Sequence, residues 1–111
     1  MVENLRTDPK NMTTGLPGLD RVLKGVMPGD NIVWQVESIE DYKALVMPYA
    51  EAARRQGQRL IYFRFASHPQ LLPDDFGAEI HRPSLEGGFE QFTTEVHDVI
   101  GEAGLGAIYV F

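Results

Sequence analysis

Two short apolar runs constrain this chain more than any other feature. Ile32, Val33, Trp34 and Val36 form the first, and Leu60, Ile61, Tyr62, Phe63 and Phe65 the second. Both are rich in residues that favour strands. Between them Tyr42, Leu45, Val46, Tyr49, Ala50 and Ala53 recur at three- and four-residue spacing, which places them on one face of a helix, with Glu40, Asp41, Glu51, Arg54 and Arg55 largely off it. Ser38 is the expected N-cap, Asp41 three residues on completes a capping-box-like pattern, and Gly57 is the expected stop. Two apolar strands joined by a crossover helix predict a right-handed βαβ unit in a parallel sheet buried on both faces. In such a sheet ligands bind at the carboxyl ends of the strands.

A βαβ unit that binds a nucleotide passes from strand to helix through glycines, so that backbone N–H groups can wrap a phosphate. The turn here is Glu37, Ser38, Ile39, Glu40 and Asp41, with no glycine and three carboxylates. The positive end of a helix dipole is worth about 0.3 to 1 kcal/mol to a nearby anion, and Glu40 and Asp41 already use it. The turn reads as the start of a structural helix.

Pro48 lies inside that helix, where it removes one backbone hydrogen bond, but the apolar period continues on both sides. Ahead of the first run, residues 1–12 are polar and aperiodic and read as a flexible arm. Residues 14–20, TGLPGLD, form a turn into a short helix striped by Leu19, Val22 and Leu23, and Pro28, Gly29 and Asp30 turn the chain toward the first strand. After the second strand, residues 70–88 read as a long loop with turn signals at both ends. Phe89, Phe92, Val96, Val99 and Ile100 then mark a third amphipathic helix ending near Gly104, and residues 106–111 a third buried strand. The sequence stops inside that apolar run, which reads as a cut through a larger protein.

Composition narrows the function. The chain has 111 residues, no cysteine and a net charge of −6, so disulfides and thiolate chemistry are out, and an acidic surface argues against nucleic-acid or anionic-membrane binding. No run approaches the roughly 20 apolar residues of a membrane span, and the amino terminus does not resemble a signal peptide. A soluble cytoplasmic protein is expected.

The order of these features resembles the KaiC-like branch of the RecA-type ATPases. The match lies in residues 14–20 with Leu23, Gly25, Pro28 and Gly29, similar to the family's opening signature, and in residues 59–65, RLIYFRF, similar to its second core strand. The resemblance implies a three-layer RecA-like (P-loop-NTPase-type) α/β fold, about three parallel strands with flanking helices, over residues 13–111, and places 106–111 as the strand that leads to the Walker B aspartate. Where the family carries its phosphate-binding glycines and Lys-Thr pair, this chain has Val36 to Ala44, with Lys43 within one residue of the Walker lysine. Where the family carries two catalytic glutamates, it has Ala66 and Ser67. The resemblance therefore implies a degenerate nucleotide site without ATP or magnesium, in a module that serves a protein partner or covalently following domains. The alternatives are a divergent ATPase that keeps ATP and magnesium through Lys43, and a small-metabolite site at the strand ends using Ser38, Ser67 and His68. The chain is also similar to the N-terminal regions of bacterial proteins that continue into a phosphoenolpyruvate-synthase-like pyruvate-binding domain.

The remaining candidates have plainer explanations. His68, at the end of the second strand beside Ser67 and Arg64, reads as a turn histidine, and His81 and His97 lack metal-ligand spacing. A triad of Ser67, His68 and Asp74 has no nucleophile-elbow pattern behind it. Trp34, Tyr42 and Tyr49 read as helix–sheet packing. In the RecA-like order a strand absent from this sequence would lie between residues 32–36 and 106–111. Leaving that gap open costs roughly 1 to 3 kcal/mol per buried unpaired group, so the first and third strands pair directly, a second copy fills the gap, or the chain stays poorly folded; the expectation is an ordered homo-oligomer that buries its strand edges and Phe111.

Overall fold

The computed structural model describes residues 12–64 and 69–111. The elements are α1 (Pro17–Leu23), α2 (Ile39–Arg55), β1 (Leu60–Phe63), β2 (Glu79–His81), α3 (Phe89–Ala103) and β3 (Ile108–Val110), with one turn of 3₁₀ helix at Asp74–Phe76. The strands form a parallel sheet in the order β2-β1-β3. The molecule is thus α/β with a three-stranded parallel sheet and helices on both of its faces.

Strand alternation sorts the core into two halves. Leu60, Tyr62, Ile108 and Val110 face α2 and pack with Val46, Ala50 and Ala53. Ile61, Phe63 and Ala107 face α3 and meet Val96, Val99, Ile100 and Ala103. The first half is completed from the segment after β1, where Leu71, Leu72 and Phe76 are buried in the same cluster. The Tyr62 hydroxyl accepts from the Leu71 amide at 3.1 Å, which fixes that plug against the sheet.

The long helix ends as its sequence requires. Ser38 Oγ accepts from the Asp41 amide at 3.1 Å. At the other end Gly57, at φ +70°, lets its own amide reach the Arg54 carbonyl and the Gln58 amide reach the Ala53 carbonyl, a Schellman closure. Near the middle, the Pro48 carbonyl packs on Gly15, where an added Cβ would lie 2.3 Å from the oxygen.

Three expectations need correction. Residues 32–36 are not a strand: they carry no regular secondary structure, because a strand exists only when its backbone is paired, and among the described residues nothing pairs it. Part of the stretch expected to be loop is β2, which pairs with β1 through Ile61 opposite Glu79 and Phe63 opposite His81. Finally, residues 32–36 and β3 do not pair directly. The third sheet position is taken by β2, on the far side of β1, and among the described residues nothing pairs with the outer edge of β3.

Candidate functional site

The open edge of β3 borders a slot. Its floor is the inner face of α2 with Tyr42, Val46 and Tyr49, one wall is β3 with Phe111, and the other is formed by Met27, Asp30, Ile32 and Trp34. The cavity holds about 290 Å³, near the lower limit of volumes that take a whole small ligand. Its lining is apolar and aromatic, and among the described residues Asp30 is the one charged group on it.

The slot is held open by contacts at its two ends. At one, Gly29 lies against Leu105, whose Cδ2 would stand 3.4 Å from an added Cβ. At the other, the Tyr42 hydroxyl donates to the Phe111 carbonyl at 2.8 Å, and the Phe111 ring stacks on Phe63 with centroids 4.9 Å apart. Burial, and secondarily Tyr62, pushes the Tyr42 phenol above its ordinary pKa, and burial with Tyr42 does the same to Tyr49, so both stay neutral donors at ordinary pH. Trp34 is half-buried on the slot wall, not packed into the helix–sheet core as its sequence context suggested.

Behind the slot, the segment before α1 is organised by one carboxylate. Asp20 Oδ1 accepts from the Thr14 amide at 2.9 Å and the Thr14 hydroxyl at 2.7 Å, and Oδ2 accepts from the Thr13 hydroxyl. Thr14, at 1% exposure, is also a slot-lining residue. The TGLPGLD turn therefore has a structural role of its own: its Asp20 ties down the turn from which Gly15 packs on α2.

Of the predicted site residues, Ser38 and Lys43 lie among the described residues. Ser38 uses its hydroxyl as the N-cap, and Glu37, Glu40 and Asp41 surround it on the exposed start of α2. Lys43 is exposed and lies outside the slot lining. Ser67 and His68, with Ala66, lie outside the described residues, so the triad with Asp74 is not addressed; Asp74 accepts from Gln70 Nε2 at 2.7 Å. His97 is exposed beside Asp98. Among the described residues no group of three metal-ligating side chains forms.

His81 stands at the carboxyl end of β2, its ring 5.9 Å from Phe63. With Arg82, Pro83, Glu95 and Val99 it lines a second cavity of about 120 Å³. Its Nε2 is buried with no hydrogen-bond partner among the described residues. At the opposite, amino end of the sheet, Arg59 joins Glu79 and Glu102 in an exposed cluster that fastens β1, β2 and α3.

Comparison with protein-family models, with curated proteins and with solved structures gives no match. Among the described residues no helix is long and apolar enough to cross a membrane.

The sequence held a signal for the slot, though not its shape. An uncharged, strand-favouring run with no partner strand in reach marks an unpaired edge. That the run lies beside a cavity depends on the Gly29–Leu105 and Tyr42–Phe111 contacts, which no local pattern encodes.

Proposed function

We propose that the chain is a non-catalytic module of KaiC/RecA-like kind with a degenerate nucleotide site, serving as a structural, regulatory or interaction domain of a larger protein. The observation that carries this reading is the start of α2, where Ser38 caps the Asp41 amide at 3.1 Å amid three exposed carboxylates. Phosphoryl transfer depends on a phosphate cradle, a metal and a positioned base. In this chain the cradle's place is acidic and glycine-free, the hydroxyl that could meet magnesium is replaced by Ala44 in one register, and Ala66 and Ser67 stand where the family's glutamates do. What the chain offers in place of that chemistry is surface for another protein. Val22, Met27, Val33, Leu105 and Phe111 are exposed, and they support self-association as one form of that contact.

Calorimetric titration with Mg-ATP tests the reading. No binding heat and no hydrolysis are expected, and Ala66→Glu alone restores nothing, because a base without a bound phosphate has no substrate. A micromolar Kd, or magnesium-dependent turnover lost in Lys43→Ala, would overturn it.

A second reading, a small-metabolite site at the strand carboxyl edge, is favoured by one feature: the buried His81 Nε2, 4.0 Å from Glu79 Oε1 and without a hydrogen bond among the described residues, on a residue that shares a cavity with Arg82. It predicts that small carboxylates or phosphate shift the His81 ring signals in an NMR titration, and that Arg82→Ala abolishes the shift.

A further inference from the structure

We propose that His81 is a proton-operated latch on the edge strand β2: when its ring is charged, Nε2 donates to Glu79 Oε1 and holds the end of β2 more firmly against β1, a hold that is lost when the ring is neutral. The inference goes beyond both functional readings, since its ligand is a proton and its acceptor a side chain of the same strand.

Strand alternation brings the parts together. Glu79 and His81 lie two residues apart on β2, opposite Ile61 and Phe63, and so share the face that packs on α3. The His81 Nε2 is buried and bonds to no described residue, and a buried polar atom left without a partner is costly. Glu79 Oε1 stands 4.0 Å from it, too far for a hydrogen bond but within the reach of small side-chain rotations. Glu79 also has room for a second donor. Its Oε1 accepts from Arg59 Nη2 at 2.9 Å and its Oε2 from Arg59 Nε, which uses two of about four lone-pair sites on the carboxylate. A neutral imidazole carries one N–H and an imidazolium carries two, so protonation guarantees a donor at Nε2.

The surrounding charges favour the charged ring. Glu95, on α3, lines the same cavity as His81, and so does Arg82, the next residue along. Glu95 is already engaged, accepting from the Ser84 amide at 3.1 Å and from Gln91 Nε2 at 3.3 Å. Glu102, also on α3, accepts from Arg59. Among the described residues of this cluster the carboxylates of Glu79, Glu95 and Glu102 thus face the permanent cations of Arg59 and Arg82, and a proton on His81 evens the balance. Glu79 itself stays ionised: the hydrogen bond from Arg59 holds its carboxyl below the usual carboxylate range against a smaller effect of burial, and the charges of Arg59 and of a protonated His81 act in the same direction as that bond. The latch therefore extends the line from Glu102 through Arg59 and Glu79 by one member, to the end of β2. That strand is three residues long, half-buried throughout and at the edge of the sheet, and such elements open locally before the core does. What the latch governs is the carboxyl end of the sheet, and histidine is the side chain whose charge ordinarily changes between about pH 5 and 8.

The Arg64 amide donates to the His81 carbonyl at 2.9 Å, so its exchange reports whether the end of β2 is docked. The sign follows from a histidine that gains a partner on folding: the added stability is present at low pH and is lost as pH rises. In the 111-residue chain at low ionic strength, Arg64 exchange scaled to unstructured-chain rates is expected to be about two- to fivefold slower at about pH 5.5 than at about pH 8, the range that one exposed ion pair supplies. The Ile108 amide, which bonds the Arg59 carbonyl at 2.8 Å on the other side of β1, should show no such difference. His81→Gln and Glu79→Gln should each abolish the difference, and about 0.5 M salt should shrink it. Each variant is compared with itself across pH, so a general loosening from the lost Arg59 contact does not hide the result; should Glu79→Gln fail to fold, His81→Gln alone decides. Equal Arg64 protection at the two pH values, greater protection at the higher one, or a difference that survives His81→Gln would overturn the proposal. A difference lost in His81→Gln but kept in Glu79→Gln would overturn it as well, by assigning the charged ring to another carboxylate. Arg82→Ala, which removes the metabolite signal under the second reading, should leave the pH difference in place, so the two fail separately.

Discussion

The Asp20 carboxylate is pulled in two directions. Burial raises its proton affinity, but the hydrogen bonds from the Thr13 hydroxyl and from the Thr14 amide and hydroxyl outweigh that and hold its pKa below the usual carboxylate value. A group whose folded pKa is depressed stabilises the fold fully above its unfolded pKa, about 3.9 for aspartate, and that stabilisation is lost as pH falls through the folded value. Acid unfolding followed by circular dichroism should therefore retain a component below about pH 4 that disappears in Asp20→Asn. Gly15 beside it has two reasons to be glycine, a φ of +84° and the Pro48 carbonyl 2.3 Å from where a Cβ would go. Gly15→Ala should cost about 2 to 5 kcal/mol in urea unfolding, from left-handed strain plus overpacking. Ser38→Ala should cost about 0.5 to 2 kcal/mol as a lost cap. If stability stayed unchanged in that variant while a binding activity vanished, Ser38 would belong to a site and not to the helix.

Helix α2 could be read almost to the residue, and β2 could not be read at all. Both ends of α2 are set by chemistry within a few residues, Ser38 with Asp41 at one end and Gly57 at the other, and its inner face repeats often enough to survive Pro48. Strand β2 is three residues, Glu79–His81, with no alternation of its own; it is a strand because β1 offers an edge and because Leu71, Leu72 and Phe76 anchor the chain before it. The run at residues 32–36 makes the converse point, with strand-favouring side chains and no strand, since β-propensity describes how a residue fits a paired surface. The weight placed on the post-β1 plug is testable. Leu72→Ala, at a fully buried position, should cost about 2 to 5 kcal/mol and should loosen β2 before β1 in amide exchange. Equal loosening of both strands would show that β2 does not depend on the plug.

For the whole molecule the question is which surface the fold leaves unfinished. The sheet has β2 at one edge and β3 at the other, is covered on its faces by α2 and α3, and is clamped at its amino end by Arg59 with Glu79 and Glu102. The β3 edge faces uncharged residues 31–36 across an apolar slot, and among the described residues no strand pairs with it. Natural sheets blunt a free edge with charge, proline or a bulge, and none of these stands on Ile108–Val110. Site-resolved amide exchange of the chain alone, at low concentration, measures this most directly. Slow exchange is predicted for the Ile108 and Val110 amides, which bond to β1, and fast exchange for Tyr109 and residues 31–36. Uniform protection across Ile108, Tyr109 and Val110, with residues 31–36 protected as well, would mean the edge is already paired within the chain, and the account given for the slot would be wrong.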